Sequence, residues 1–213
     1  MLLLQDNFIE TLEQRLSNTL PGVAKQYEMA SLRRISELNL AEQPDYSGAK
    51  QAAVMNLLHY ADGAWRTILI RRAEHPEDRH SGQVSFPGGK FELSDESLAA
   101  TALREVEEEI GVPAARIRLL GQMTSLYIPV SNFLVHPFVG VLDGSPDFRF
   151  QEGEVVGVLQ PALADFKHPE RRKVTDLQIA PNLLLREVPY FDVEGYVVWG
   201  ATAMMLNEFL AIL

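Results

Sequence analysis

Apolar residues recur at helical spacing at Phe8, Ile9, Leu12, Leu16 and Leu20, and Pro21-Gly22 ends the pattern, which predicts an N-terminal helix. Residues 22–50 carry no strong period, and Pro44 with Gly48 predicts a loop over the domain. Ala52–His59 and Trp65–Arg72 are short, apolar and β-prone, with Ala61-Asp62-Gly63 as the hairpin turn between them. A polar loop over 73–82 leads to a short strand, Gln83–Phe86, and then to a tight turn at Pro87-Gly88-Gly89. From about 96 to 111 the period returns to 3.6: Leu98, Ala99, Ala102, Leu103, Val106 and Ile110 share one face, closed by Gly111 and Pro113. Strand-like runs follow at 116–120, 133–142, 154–159, 174–179 and 183–187, and Ala201–Leu213 predicts a terminal helix. Strands interleaved with a few helices predict one mixed α/β domain over residues 51–213, with the helix and loop of residues 1–50 packed on it.

Composition narrows the function classes. Hydrophobic residues make up 46% of the 213, enough for a packed core rather than disorder. A net charge of −10 argues against nucleic acid or an anionic membrane as partner, because no basic surface is on offer. A phosphate-bearing small molecule stays admissible, since metal ions can screen it locally. The absence of cysteine excludes disulfides, thiolate catalysis and Cys-ligated zinc. The most apolar run, Tyr196 to Leu206, is too short to span a bilayer, and the N-terminus lacks the basic leader of a secretion signal. The expectation is a soluble cytoplasmic protein.

Within the long helix, Arg104-Glu105-Val106-Glu107-Glu108-Glu109-Ile110-Gly111 puts four carboxylates into five residues. Like charges at that spacing repel, and Arg104 is the nearby cation. At 100° per residue, Glu105, Glu108 and Glu109 fall within an arc of about 100°, bordering the apolar face, while Glu107 points elsewhere. Three carboxylates at i, i+3 and i+4 suit a hard, oxygen-seeking ion, Mg²⁺ or Mn²⁺; a solvated acidic surface is the competing reading. Arg104 and Glu108 are i, i+4 neighbours, so the arginine can orient a carboxylate. Ahead of the helix, Gly88 and Gly89 let the backbone approach a ligand closely. Arg71, Arg72, Arg79, His80 and Lys90 add positive charge suited to a substrate phosphate. Tyr127, Phe133 and Phe138 are candidates either for stacking a base or for the core.

These residues resemble the Nudix box, G-x5-E-x7-R-E-U-x-E-E-x-G-U with U aliphatic. Arg104, Glu105, Val106, Glu108, Glu109, Gly111 and Val112 meet its second half. Glu96 lies at the expected distance before Arg104. Lys90 stands where the box glycine belongs, so the stretch from Gly89 to Glu96 is one residue too long, and Asp95 is the acid at the expected distance from Gly89. Ile68–Ala73 and Gly82–Gly89 are similar to the motif that precedes the box in coenzyme A pyrophosphatases. So are Pro129–Phe133, Val135–Gly140, Glu154-Val155 and Trp199–Ala203.

The resemblance implies a Nudix α/β/α sandwich, with the box as a loop–helix–loop against a mixed sheet. It also implies Mg²⁺- or Mn²⁺-dependent attack of water on a diphosphate joined to a nucleoside. Glu105, Glu108 and Glu109 carry over as metal ligands, with the Gly88 carbonyl as a further one and Arg104 as the orienting arginine. For the general base, Glu109, Glu105, Glu152 and Glu154 compete. Arg71, Arg72, Arg79 and Lys90 are the candidates for binding substrate. CoA or acyl-CoA is the expected substrate, giving 3′,5′-ADP and 4′-phosphopantetheine products, and a homodimer is a possible assembly. The alternatives are another nucleoside diphosphate derivative, such as ADP-ribose or NADH, and a non-catalytic nucleotide-binding Nudix domain.

Overall fold

The alternation of side chains along the central strand divides the core into two. On Lys50–Ala61, Ala53, Met55 and Leu57 join one buried cluster while Ala52 and Leu58 join the other. The computed structural model describes residues 2–37, 46–74, 82–180 and 182–213. Its helices are α1 (Leu2–Ser17), α2 (Val23–Tyr27), α3 (Leu32–Glu37), α4 (Leu98–Ile110) and α5 (Gly200–Ala211). Its strands are β1 (Lys50–Ala61), β2 (Ala64–Thr67), β3 (Leu69–Arg72), β4 (Val84–Ser85), β5 (Gly88–Lys90) and β6 (Ile117–Gln122). They continue as β7 (Leu126–Ile128), β8 (Phe133–Leu142), β9 (Val155–Leu159), β10 (Arg172–Ala180), β11 (Leu183–Val193) and β12 (Tyr196–Trp199).

The main sheet is mixed. β1 runs parallel to β8 and antiparallel to β2 and β5, and β8 also pairs with β6 and β7. Two three-stranded sheets accompany it, in the orders β10-β11-β12 and β4-β3-β9. One face is covered by α4, whose fully buried Ala102, Val106 and Ile110 meet Ala53, Met55 and Leu57. Val106, Ile110, Met55 and Leu57 each contribute roughly 1.5–3 kcal/mol of transfer free energy. The other face carries Leu12 and Leu16 of α1 and Met204, Leu206 and Phe209 of α5. This is an α/β/α sandwich with a mixed sheet.

The N-terminal segment is fastened to α5 by buried polar groups. Glu208, fully buried, accepts the Gly22 N–H at 3.1 Å and the Gln26 Nε2–H at 2.8 Å, and Asn207 donates to the Lys25 carbonyl at 2.7 Å. These side chains interrupt the apolar run of the last helix because they are its contact with α2.

Several boundaries differ from the sequence reading. Residues 22–37 hold two short helices, α2 and α3, too brief to display a period. Pro44 lies outside the described residues. The expected tight turn at Pro87-Gly88-Gly89 is corrected: Gly88–Lys90 is strand β5, paired with Ala52–Val54 of β1. A Cβ on Gly88 would lie 2.4 Å from the Ala53 carbonyl oxygen, so the glycine there answers to the closeness of a neighbouring strand. The short strands β7 and β12 also go beyond the sequence reading. Among the described residues, no helix is long and apolar enough to cross a membrane.

Candidate active site

The acidic helix begins at Ser97, whose hydroxyl accepts the Ala100 N–H at 3.1 Å, and ends at Gly111 with φ 71°. Between these caps, the helical period aims Glu105 and Glu109 at β5. Glu109 is almost wholly buried, and its Oε2 accepts the Gly88 N–H at 2.8 Å. Arg72 Nη1 of β3 stands 3.5 Å from Glu109 Oε1. Burial pushes the Glu109 carboxyl up to about 8; Gly88 and Arg72 oppose that shift, while Glu105 and Glu154 add to it. Burial likewise raises Glu105, against the pull of Arg104 and with repulsion from Glu108 and Glu154. Gly89 is bare beside Glu105: a Cβ there would lie 2.4 Å from Glu105 Oε1.

Arg104 uses its whole guanidinium. Nε and Nη2 fork onto Asp95 at 2.9 and 3.1 Å, Nη1 donates to Glu105 Oε1 at 2.9 Å and to Glu108 Oε2 at 2.8 Å, and Nη2 also reaches the Lys90 carbonyl at 3.1 Å. The hydrogen-bonded guanidinium holds the Asp95 carboxyl well below the usual carboxylate range, and Asp95 in turn raises Arg104. Asp95 also accepts the Glu92 N–H and the Thr101 hydroxyl, both at 2.9 Å. The repulsion seen in the sequence is therefore met in part by Arg104, which links Glu105 to Glu108. Glu107 turns away, accepting the Ala114 N–H at 3.2 Å.

The remaining candidates divide. Glu154 lies within electrostatic reach of Glu105 and Glu109, its side chain bonded to Gln151 at 2.9 Å. Glu152 is exposed on the same loop. Arg71 does not join the group. Neighbours on a strand face opposite ways, and Arg71 lies under the Tyr196 ring at 5.0 Å, bonded to the Tyr196 hydroxyl and to the Val156 carbonyl at 3.2 Å. Lys90 is exposed on β5, and Arg79 and His80 lie outside the described residues. Phe138 is core, Tyr127 packs on Tyr46 with ring centroids 5.1 Å apart, and Phe133 lies under the Lys50 ammonium at 5.5 Å.

The donor set fits a hard divalent cation: carboxylate oxygens around a bare glycine, two of them pushed toward protonation by burial and by one another. Among the described residues no three such groups already converge as a closed cage. Two carboxylates are tied to Arg104 instead.

Comparison with known proteins gives one answer. The NUDIX domain model matches residues 49–178, more than half of the chain. The uncharacterised Nudix hydrolase NudL of Yersinia enterocolitica is 36% identical over 141 residues, covering 66% of this chain and 70% of the relative. Its namesake from Yersinia pestis strain Pestoides F is 35% identical over the same length, covering 66% and 69%. A MutT/nudix family protein from Enterococcus faecalis shares the fold at a TM-score of 0.51 and 18% identity, covering 87% of this chain and 71% of that one. The α/β/α sandwich agrees with this, and the chain belongs to the Nudix hydrolase family and is a diphosphohydrolase.

Proposed function

We propose that this enzyme hydrolyses the diphosphate of CoA or acyl-CoA, releasing 3′,5′-ADP and 4′-phosphopantetheine or its acyl form, with Mg²⁺ or Mn²⁺ held by Glu105, Glu108 and Glu109. The observation that carries the metal assignment is Glu109, a carboxylate buried between the Gly88 N–H and Arg72 with Glu105 and Glu154 nearby. Burial and the neighbouring acids favour the protonated form of such a group, and a bound divalent cation would favour the carboxylate. When bound, the divalent ion neutralises the diphosphate and lowers the pKa of a water.

The residues of the chain do the rest. Gly88 fixes the Glu109 carboxylate through its N–H and adds a backbone carbonyl to the donor set. Arg104, locked by Asp95, orients Glu105 and Glu108. For the proton of the attacking water, Glu109, Glu105, Glu152 and Glu154 compete, and Glu154 lies within electrostatic reach of Glu105 and Glu109. The motifs over Ile68–Ala73 and Gly82–Gly89 support CoA as substrate. We assign residues 1–50 as an N-terminal extension of the domain over 51–213, with α1 and α2 packed on it. A cytoplasmic homodimer is the proposed setting.

The test is a substrate panel of CoA, acetyl-CoA, ADP-ribose, NADH and dinucleoside polyphosphates, with Mg²⁺ or Mn²⁺. CoA cleaved at its diphosphate supports the proposal. Turnover of ADP-ribose or NADH but not CoA removes the substrate assignment and leaves the metal chemistry standing.

A further inference from the structure

Arg71 and Tyr196 form a stacked shelf at the end of the β3–β9 pair, on the face turned away from α4. Strand alternation puts Arg71 on the side of Leu69, whereas Ile70 joins the cluster beneath α4. The partner strand, β9, is bulged here. Arg71 opposes Gly157 and Arg72 opposes Val155, so Val156 is the extra residue, with 56% of it exposed. Arg71 lies against bare backbone: a Cβ on Gly157 would stand 2.6 Å from Arg71 Nη2, so the guanidinium fills the space a side chain would take. Nη2 donates to the Val156 carbonyl at 3.2 Å and Nη1 to the Tyr196 hydroxyl. The guanidinium carbon lies 5.0 Å from the centre of the Tyr196 ring.

The ring is fixed from its own strand as well. Tyr196 pairs with Val193 across the tight turn Glu194-Gly195, whose φ values of 53° and 85° are those of a two-residue hairpin. With Arg71 against one side of the ring, Tyr196 is still 38% exposed. The shelf adjoins the candidate active site. Glu154 precedes Val156 by two residues, and its carbonyl accepts the Ala73 N–H at 2.7 Å. A held, exposed aromatic ring is a plane on which another flat ring can stack. We infer that Tyr196 stacks the base of a nucleoside diphosphate, with Arg71 as the positioning residue that holds the ring. Stacking tolerates any base, so the shelf selects nucleosides over simpler diphosphates rather than one base over another. The inference rests on the proposed hydrolysis of a nucleoside diphosphate derivative and names where its base lies.

The test reads binding rather than turnover. Two ligands are titrated by calorimetry with Mg²⁺: α,β-methylene-ADP, whose bridge is not cleaved, and methylenediphosphonate, which has that bridge and no nucleoside. The proteins are the full chain and its Tyr196→Leu and Tyr196→Phe variants, each with its fold verified by a melting curve. Tyr196→Leu should weaken α,β-methylene-ADP about fivefold or more and leave methylenediphosphonate within about twofold. Tyr196→Phe, which keeps the ring and loses the bond to Arg71, should lie between wild type and Tyr196→Leu. An unchanged affinity of Tyr196→Leu for α,β-methylene-ADP would overturn the shelf. Equal losses for both ligands would overturn it too, because the effect would then reach the diphosphate rather than the base. If the expected pattern appears but no nucleoside diphosphate derivative is hydrolysed, the proposed reaction falls and the stacking site stands.

Discussion

The Gly88 N–H donates to Glu109 Oε2 at 2.8 Å, joining the strand before the acidic helix to the most deeply buried carboxylate on it. The two residues are 21 positions apart, and the bond exists because β5 pairs with β1 beneath α4. Placement of the carboxylate therefore depends on how closely β5 approaches its neighbour. Gly88 has φ +153°, and a Cβ there would meet the Ala53 carbonyl oxygen and the Val54 Cα at 2.4 and 2.5 Å. Gly88→Ala should force the strands apart, at a cost of about 2 kcal/mol or more, and lower the melting temperature by roughly 4–8 °C. Gly89→Ala should act differently. Its Cβ would collide with a side-chain carboxylate, so stability changes little while metal affinity falls. Thermal melts paired with Mn²⁺ titration separate the two.

Asp95→Asn should loosen Arg104 and, through it, Glu105 and Glu108. The expected loss is roughly 3–8 °C in melting temperature together with reduced turnover. The pH dependence has a definite sign. The Asp95 carboxyl is held well below its ordinary value, so its ion pair stabilises the fold above the unfolded value near 3.9 and is lost as pH falls through the lowered folded value. The difference in stability between wild type and Asp95→Asn should be flat from pH 8 to 5 and shrink below about pH 4.

His59 predicts a second acid effect, of the same sign but at higher pH. It is 2% exposed on β1, and burial lowers its pKa, with Arg66 adding to the shift. The unfolded chain takes up this proton near pH 6.5, whereas the folded chain resists it until lower pH. Stability attributable to His59 is therefore constant above about pH 7 and declines as pH falls below about 6.5. His59→Gln should flatten the melting-temperature profile between pH 7 and 5; an unchanged slope would remove His59 as its cause.

Removing the buried carboxylate of α5 tests the docking of the N-terminal segment. Glu208→Ala leaves the Gly22 N–H and one Gln26 amide N–H without an acceptor, at a cost of about 1–3 kcal/mol each, while the other Gln26 N–H keeps the Thr124 carbonyl. Limited proteolysis should then cut within residues 18–37 faster than in wild type, while a Glu208→Gln variant, which keeps a carbonyl acceptor, lies between.

The parts of the fold legible in the sequence are those that carry a period. The helix from Leu98 to Ile110 and the strand from Phe133 to Leu142 can be read from their apolar positions alone. What escapes is short or depends on distant chain. Gly88 and Gly89 look like a turn because glycine commonly makes one, and only the pairing with Ala53 reveals a strand. At the site, the box spacing leaves Asp95 and Glu96 as rivals; the fork of Arg104 onto Asp95 is a tertiary contact that spacing cannot choose. Arg71 and Arg72 carry the same charge in sequence, and strand alternation alone would have put them on opposite faces. The bulge and the Tyr196 ring that fix their surroundings come from β9 and β12.

We propose that the carboxylates of α4 hold the metal that activates diphosphate hydrolysis. The most direct measurement is the rate of CoA cleavage against Mg²⁺ concentration for wild type and Glu109→Gln, on protein whose fold is verified by its melting curve. Wild type should show saturable activation by Mg²⁺, and the variant a loss of about a hundredfold or more with the fold retained. Equal rates and equal Mg²⁺ dependence in the two proteins would contradict it.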